Sequence, residues 1–306
     1  ILGAGLNPPE EIPKTVANQT LHDRFKAALP QWFASHTRHI AETDLFVSNS
    51  LGLPGVRDGG RVIPLLFYRH GLVLDRLLSR VPPSHLQHVL EIGGGWGGFA
   101  ALFVPLVSRL LGRQIRYSIL DLPHSVLIQS NYLRSIGFTK LLMYDEEMGD
   151  LNSILERADY EVLFMLPRHL KAVNSDTFDL VCNFDSLVEM PADVIKAYVS
   201  DIGRVSHAFY SVNVNYGAWR SLQAELDQLK PKFSRTPTQL QPQLHGFGDQ
   251  VPWTIGVMAR STSRLQYHEQ LLIDLSWTGT QEVDSKAAGR RNKERETRTQ
   301  TQTKVD

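Results

Sequence analysis

The chain has 306 residues, 42% of them hydrophobic, and its 32 Lys and Arg balance its 32 Asp and Glu. This length supports one large domain or a domain with a helical annex, and the charge balance speaks against nucleic acid or an anionic membrane as a partner. No apolar run reaches the roughly 18 residues of a membrane span, no signal-peptide pattern opens the chain, and the one cysteine, Cys182, allows no internal disulfide, so a soluble, cytoplasmic protein is expected.

Residues 1–18 read as irregular. A helical period runs from Gln19 to His39, with Leu21, Phe25, Leu29, Trp32 and Phe33 on one face. Val47 to Gly60 is loop-like, and Val62 to Val81 is again helical until Pro82-Pro83 stops it. Residues 1–83 are therefore expected to form a helical cap. Beyond them strands and helices alternate, which predicts an α/β fold with a mostly parallel, doubly wound sheet. Strands are expected at His88 to Ile92, Arg116 to Leu120, Leu141 to Tyr144, Tyr160 to Met165, Phe178 to Asn183 and Ala208 to Asn213. Helices are expected at Phe99 to Leu111, Ser125 to Ile136, Ala192 to Ile202 and Gly217 to Leu229. Pro231 to Val251 reads as a long Pro/Gln-rich connection, and Trp253 to Arg260 as a late strand. Residues 84–280 make the main domain, and 281–306, charged and nearly free of apolar residues, a disordered basic tail.

The most informative run is Val89-Leu90-Glu91-Ile92-Gly93-Gly94-Gly95-Trp96-Gly97-Gly98. It reads as a buried strand ending in a glycine turn that opens a helix. Such a turn brings a ligand against bare backbone, and the helix offers free N–H groups at its start. A nucleotide-like cofactor is expected there, at the carboxyl end of the first strand of the sheet. Two cofactors compete. Gly93, Gly95 and Gly98 satisfy the dinucleotide fingerprint, the pattern of an NAD-dependent oxidoreductase. Glu91 opposes that reading, because a carboxylate at the mouth of the loop repels a pyrophosphate. S-adenosylmethionine has no phosphate, and its ammonium and sulfonium are cationic. Asp121 ends the second strand about 24 residues beyond Gly97, near the spacing of about 20 for a carboxylate that accepts from ribose hydroxyls.

Glu91, Gly93, Gly95 and Gly97 also match E-x-G-x-G-x-G. With Asp121-Leu122-Pro123 and the run from Phe178 to Pro191, the chain resembles the class I S-adenosylmethionine-dependent methyltransferases over roughly residues 60–262. The segment Ser186-Leu187-Val188-Glu189-Met190 makes it similar, more narrowly, to the sugar O-methyltransferase family. The resemblance implies a Rossmann-like sheet with an antiparallel edge, to which Trp253 to Arg260 would belong. It implies S-adenosylmethionine held by Glu91, Gly93, Gly94, Gly95, Gly97, Asp121, Leu122 and Asp185, with an adenine slot at Leu166 and Pro167 beside Leu122. It implies methyl transfer to a hydroxyl of a small-molecule or glycan acceptor. Asp121-Leu122-Pro123 also occurs in O-methyltransferases of phenolic compounds. A methyltransferase fold used as a non-catalytic interaction module is the alternative without chemistry.

A sugar hydroxyl is a poor nucleophile at neutral pH and needs a base as its bond forms. The loop after the strand that starts at Phe178 offers Asp185, Ser186 and Glu189, and a spacing of four would put both carboxylates on one helical face. Asp185, Glu189 and His245, a loop histidine with an ordinary pKa near 6.5, are the candidate catalytic groups. Asn213 and Asn215 are candidates for sugar hydroxyls, Tyr68 and Arg69 for the pocket wall, and Trp96 for shielding the methionine end. No tight Asp-Asp pair or His-rich cluster argues for a metal, so no metal ligand is expected; catalytic magnesium on Asp185 and Glu189 stays open.

Overall fold

The structure is a computed structural model that describes residues 29–45 (32 excepted), 55–58, 61–229 (158 and 216 excepted), 233–239 and 267–274. Helical turns over the described part of residues 29–36 form α1. A hairpin follows, β1 (Gly55–Asp58) antiparallel to β2 (Arg61–Pro64), with Val56 opposite Ile63. Residues 55–58, expected in a loop, and 62–64, expected in a helix, are thus extended. The β-branched pair Val62-Ile63 suits a strand, and Pro64, at φ −57° and ψ 138°, holds the backbone extended until α2 (Leu65–Leu78) begins. The Asp75 carboxylate of α2 accepts the backbone N–H groups of Arg38, His39 and Ile40 at 2.8, 2.5 and 3.1 Å and ties the segment after α1 to this helix.

The main unit runs β3 (His88–Ile92), α3 (Gly98–Leu111), β4 (Arg116–Leu120), α4 (Pro123–Ser135), β5 (Leu141–Met143), α5 (Leu151–Glu156), β6 (Val162–Met165), β7 (Phe178–Phe184), α6 (Ala192–Val205), β8 (Ser206–Val214), α7 (Trp219–Gln228), β9 (Phe233–Gln239) and β10 (Tyr267–Asp274). Its eight-stranded sheet has the order β5-β6-β4-β3-β7-β8-β10-β9. Strands β5 to β8 with β3 and β4 are parallel, and β10 lies antiparallel to both β8 and β9. Phe233–Gln239, expected inside a connection, is therefore the edge strand. Among the described residues it pairs only with β10, so Pro237 sits where a missing N–H is tolerated. The strand expected at 253–260, the tail at 281–306 and residues 1–28 lie outside the described residues.

Alternation along the strands sends residues to two cores. Val89, Tyr117, Ile119, Leu180, Cys182 and Tyr210 pack with α2, α3 and α4, while Leu90, Ile92, Leu120, Val181 and Phe209 pack with α5, α6 and α7. Burial on both faces makes all five β3 residues buried, the mark of a central parallel strand. This is the doubly wound, Rossmann-like sheet expected from the sequence. Leu29 and Phe33 of α1 join the first of these clusters, so the amino-terminal helices share a core with the sheet. From β3 the chain first moves outward to β4 and later returns to β7 on the other side, which opens a crevice at the carboxyl ends of β3, β4 and β7. No helix among the described residues is long and apolar enough to cross a membrane.

Candidate functional site

The crevice holds a cavity of about 690 Å³, whose lining includes Gly93, Gly95, Asp121 and Leu122 together with residues of α6. That volume suits a small-molecule ligand. The loop between β3 and α3 is anchored by a Gly93 N–H bond to the Leu120 carbonyl at 2.9 Å. Gly93 has φ 75°, and a Cβ there would lie 2.1 Å from the Ser186 hydroxyl, so no other residue fits. Ser186 fills that space for a reason: its hydroxyl donates to the Ile92 carbonyl at 2.9 Å and accepts from Asn183. Asn213, expected at an acceptor, lies buried beneath this network and donates to the Asn183 side-chain oxygen at 2.9 Å. Its place within β8, between two neighbouring strands, keeps it from reaching the cavity. Asn215 does not line the cavity either.

Gly93, Gly95, Asp121, Leu122, Asp185 and Glu189 come together around one cavity. Gly94 and Gly97 lie behind it, against Ile119 and against Leu133 and Gln129. Glu91, expected at the cofactor's cationic groups, points elsewhere. Its position in β3 turns it into the core under α3 and α4, where it is 2% exposed and accepts a 2.9 Å hydrogen bond from the Tyr117 hydroxyl. Burial outweighs that bond and, with the charge of Asp121, raises its pKa to about 8. At neutral pH this residue is mostly a protonated acid rather than a counter-charge.

Asp121 is held at both oxygens. Oδ1 accepts the Leu122 N–H at 2.7 Å, and Oδ2 accepts from the Gln129 side-chain amide at 2.6 Å. Leu122 is 45% exposed at the cavity wall, an apolar face beside Pro167, Leu170 and Met190 suited to a flat base. Leu166, expected in that slot, does not line it, because the turn that starts at Pro167 carries the wall inward.

Asp185 follows β7 in the left-handed region, φ 61°, rare for a residue other than glycine. Three bonds hold it there: its N–H to the Val212 carbonyl at 3.0 Å, Oδ1 from the Val214 N–H at 3.1 Å, and an ion pair of Oδ2 with Arg69 of α2. With one oxygen on a backbone N–H and the other on a guanidinium, this carboxylate has little room for a magnesium ion or a substrate hydroxyl. Glu189, at the end of a single helical turn, is exposed at the cavity, and no hydrogen bond or ion pair with a described residue engages its carboxylate. Partial burial and the Asp185 charge raise its pKa, the direction that suits a general base. His245 lies outside the described residues.

Two expected wall residues have structural places. Tyr68 is fully buried and meets Phe33 edge-on at 5.4 Å. Trp96 leaves the loop on the far side from the cavity, packing edge-on to Phe67 and Tyr132 at 5.3 and 4.8 Å. No motif or spacing marks Lys171, Tyr198 or Gln129 in the sequence. The first two line the cavity, and burial, with the charges of Asp121 and Asp201, pushes the Tyr198 phenol up to about 12. Among the described residues, one group could hold a metal ion, Asp176, His207 and Asp274. It lies at the opposite end of β7 and β8, away from the cavity.

No protein-family model matches the chain, and no curated protein does. Solved structures similar to it include a geranyl diphosphate methyltransferase in complex with sinefungin, at 12% identity and TM-score 0.43, covering 85% of this chain and 99% of that one. Geranyl diphosphate C-methyltransferase from Streptomyces coelicolor A3(2), in complex with Mg2+, geranyl diphosphate and S-adenosyl-L-homocysteine, is 11% identical with TM-score 0.46, over 86% and 100% of the two chains. A bacterial Hen1 methyltransferase domain is 11% identical with TM-score 0.40, over 67% and 97%. At these scores the likeness does not say what this chain binds, and its own site has to carry the functional reading.

Proposed function

We propose that the protein is an S-adenosylmethionine-dependent methyltransferase acting on oxygen, with a sugar hydroxyl as acceptor. The observation that carries this reading is the charge of the cavity. Among the described residues, Asp121, Asp185, Glu189, Asp193, Asp201 and one cation, Lys171, line it; Arg69 pairs with Asp185 and Arg204 with Asp201, which leaves Asp121, Glu189 and Asp193 to set its negative charge. An acidic cavity around a glycine loop attracts a cationic cofactor and repels the pyrophosphate of a dinucleotide.

When bound, S-adenosylmethionine supplies a methyl group already activated for transfer. The chain then has to bind, orient and remove a proton. Asp121 would accept from the ribose hydroxyls, and Leu122, Pro167, Leu170 and Met190 would enclose the adenine. Gly93 and Gly95 let the methionine end approach the backbone. Asp185, oriented by its ion pair with Arg69, would fix polar groups near the acceptor. Glu189 would take the hydroxyl proton; a phenol, being more acidic, has less need of such a base. The segment Ser186 to Met190, similar to that of sugar O-methyltransferases, supports the sugar over the phenolic acceptor.

The test is transfer of labelled methyl from S-adenosylmethionine to a panel of sugars and glycosides, with phenols alongside. Glu189→Gln should lower kcat about 100-fold while leaving the affinity for S-adenosylhomocysteine unchanged. Turnover on phenols alone would replace the acceptor class, and undiminished turnover in Glu189→Gln would move the base elsewhere, to His245 first.

A further inference from the structure

Gln129 carries no mark of function in the sequence, yet it bridges the glycine loop and Asp121. It lies on α4 and is fully buried. Its amide Nε2 donates to the Asp121 Oδ2 at 2.6 Å and to the Gly95 carbonyl at 3.1 Å. Both partners are acceptors, so the amide can sit only one way round. α4 approaches the loop closely enough that a Cβ on Gly97 would lie 3.6 Å from the Gln129 Cα. The cost of this arrangement is visible on the other amide atom: Oε1 is buried without a hydrogen-bond partner among the described residues. A buried, unsatisfied carbonyl oxygen works against folding stability. An apolar side chain of similar size would fill the space without that penalty.

We infer that Gln129 is a positioning residue that sets ribose recognition, locking the Asp121 carboxylate and the Gly95 backbone into one fixed frame for the sugar of the cofactor. The inference rests on the cofactor reading above. A free Asp121 side chain would have several rotamers. With Oδ1 on the Leu122 N–H and Oδ2 on Gln129, its remaining lone pairs have a set direction, and a pair of vicinal hydroxyls can be met without reordering the site. Because the same amide grips Gly95, a shift of the loop and a turn of the carboxylate are coupled.

The experiment is calorimetric binding of S-adenosylhomocysteine and its 2′-deoxyribose counterpart to wild type and Gln129→Met, with thermal melting of each. Gln129→Met should lose about tenfold in affinity for S-adenosylhomocysteine and less than twofold for the deoxy compound, with a melting temperature equal to or above wild type. In an Asp121→Ala background, titrated at raised ligand concentration, the same substitution should cost nothing further, and Gln129→Leu replaces Gln129→Met throughout should the latter fold poorly. Equal losses for both compounds, or an additive cycle, would reduce Gln129 to a packing residue. Failure of wild type to bind S-adenosylhomocysteine at all would overturn the cofactor reading and this inference with it.

Discussion

Glu269→Ala should destabilise the protein by about 3–5 kcal/mol, the cost of breaking a buried ion pair by removing one partner. Glu269 sits in β10, and its side chain has no solvent exposure. Arg76 donates to Oε2 from Nε at 3.0 Å and from Nη2 at 2.5 Å, Arg80 Nη1 lies 3.2 Å from Oε1, and the Tyr210 hydroxyl donates to Oε1 at 2.6 Å. Both arginines belong to α2 or the turn after it, so this cluster joins the antiparallel edge of the sheet to the amino-terminal helices. Alanine would leave two guanidinium groups, 16% and 24% exposed, without the carboxylate they share. Chemical denaturation reads the loss directly, and the melting temperature should fall by roughly 10 °C. Glu269→Gln, which keeps shape and the Tyr210 bond, should cost less than alanine. A loss under about 1 kcal/mol in the alanine variant would mean that water replaces the carboxylate and that the cluster does not hold the two parts together.

The second large effect concerns pH. The unfolded chain ionises Glu91 near its ordinary value of 4.5, while the native protein keeps the proton until about 8. Between those values the native state holds one proton more, so raising the pH favours unfolding. The contribution is fully present below about pH 4.5 and declines by about 1.4 kcal/mol per pH unit to near pH 8, about 5 kcal/mol in all. Glu91→Gln cannot ionise and retains an oxygen to accept the Tyr117 hydroxyl. Its stability should therefore lack this slope, and it should gain on wild type steadily from pH 5 to 8. Urea denaturation of both proteins across that range measures the difference. Parallel stability curves would show that the carboxyl reaches water in the native state.

How much of the molecule is legible in its residues depends on how local each signal is. β3 and β4 can be read to the residue, because a continuous apolar run closed by glycines or an acid fits a short strand buried on both faces and little else. The hairpin is hidden because Val62 and Ile63 run without a break into the apolar spacing of α2, and helix periodicity absorbs them. β9 is hidden because its Thr, Gln and Pro composition looks like a loop, and only its place at the sheet edge makes Pro237 acceptable. The glycine loop, Asp121 and the Asp185 to Glu189 segment are legible because their spacing along the chain is itself the signal. The contacts that define their states are not. Arg69 meets Asp185 across 116 residues, and Gln129 looks like a surface residue until the loop closes over it. Glu91 shows the limit from the other side. It belongs to the motif, but period-two geometry sends it into the core rather than to the ligand.

The central claim is that this cavity takes S-adenosylmethionine, and calorimetric titration with S-adenosylhomocysteine, with NADH on the same preparation, tests it most directly. Micromolar binding of S-adenosylhomocysteine that weakens at least tenfold in Asp121→Ala, with no heat from NADH, is the result the acidic cavity predicts. Binding of NADH in place of S-adenosylhomocysteine would contradict it.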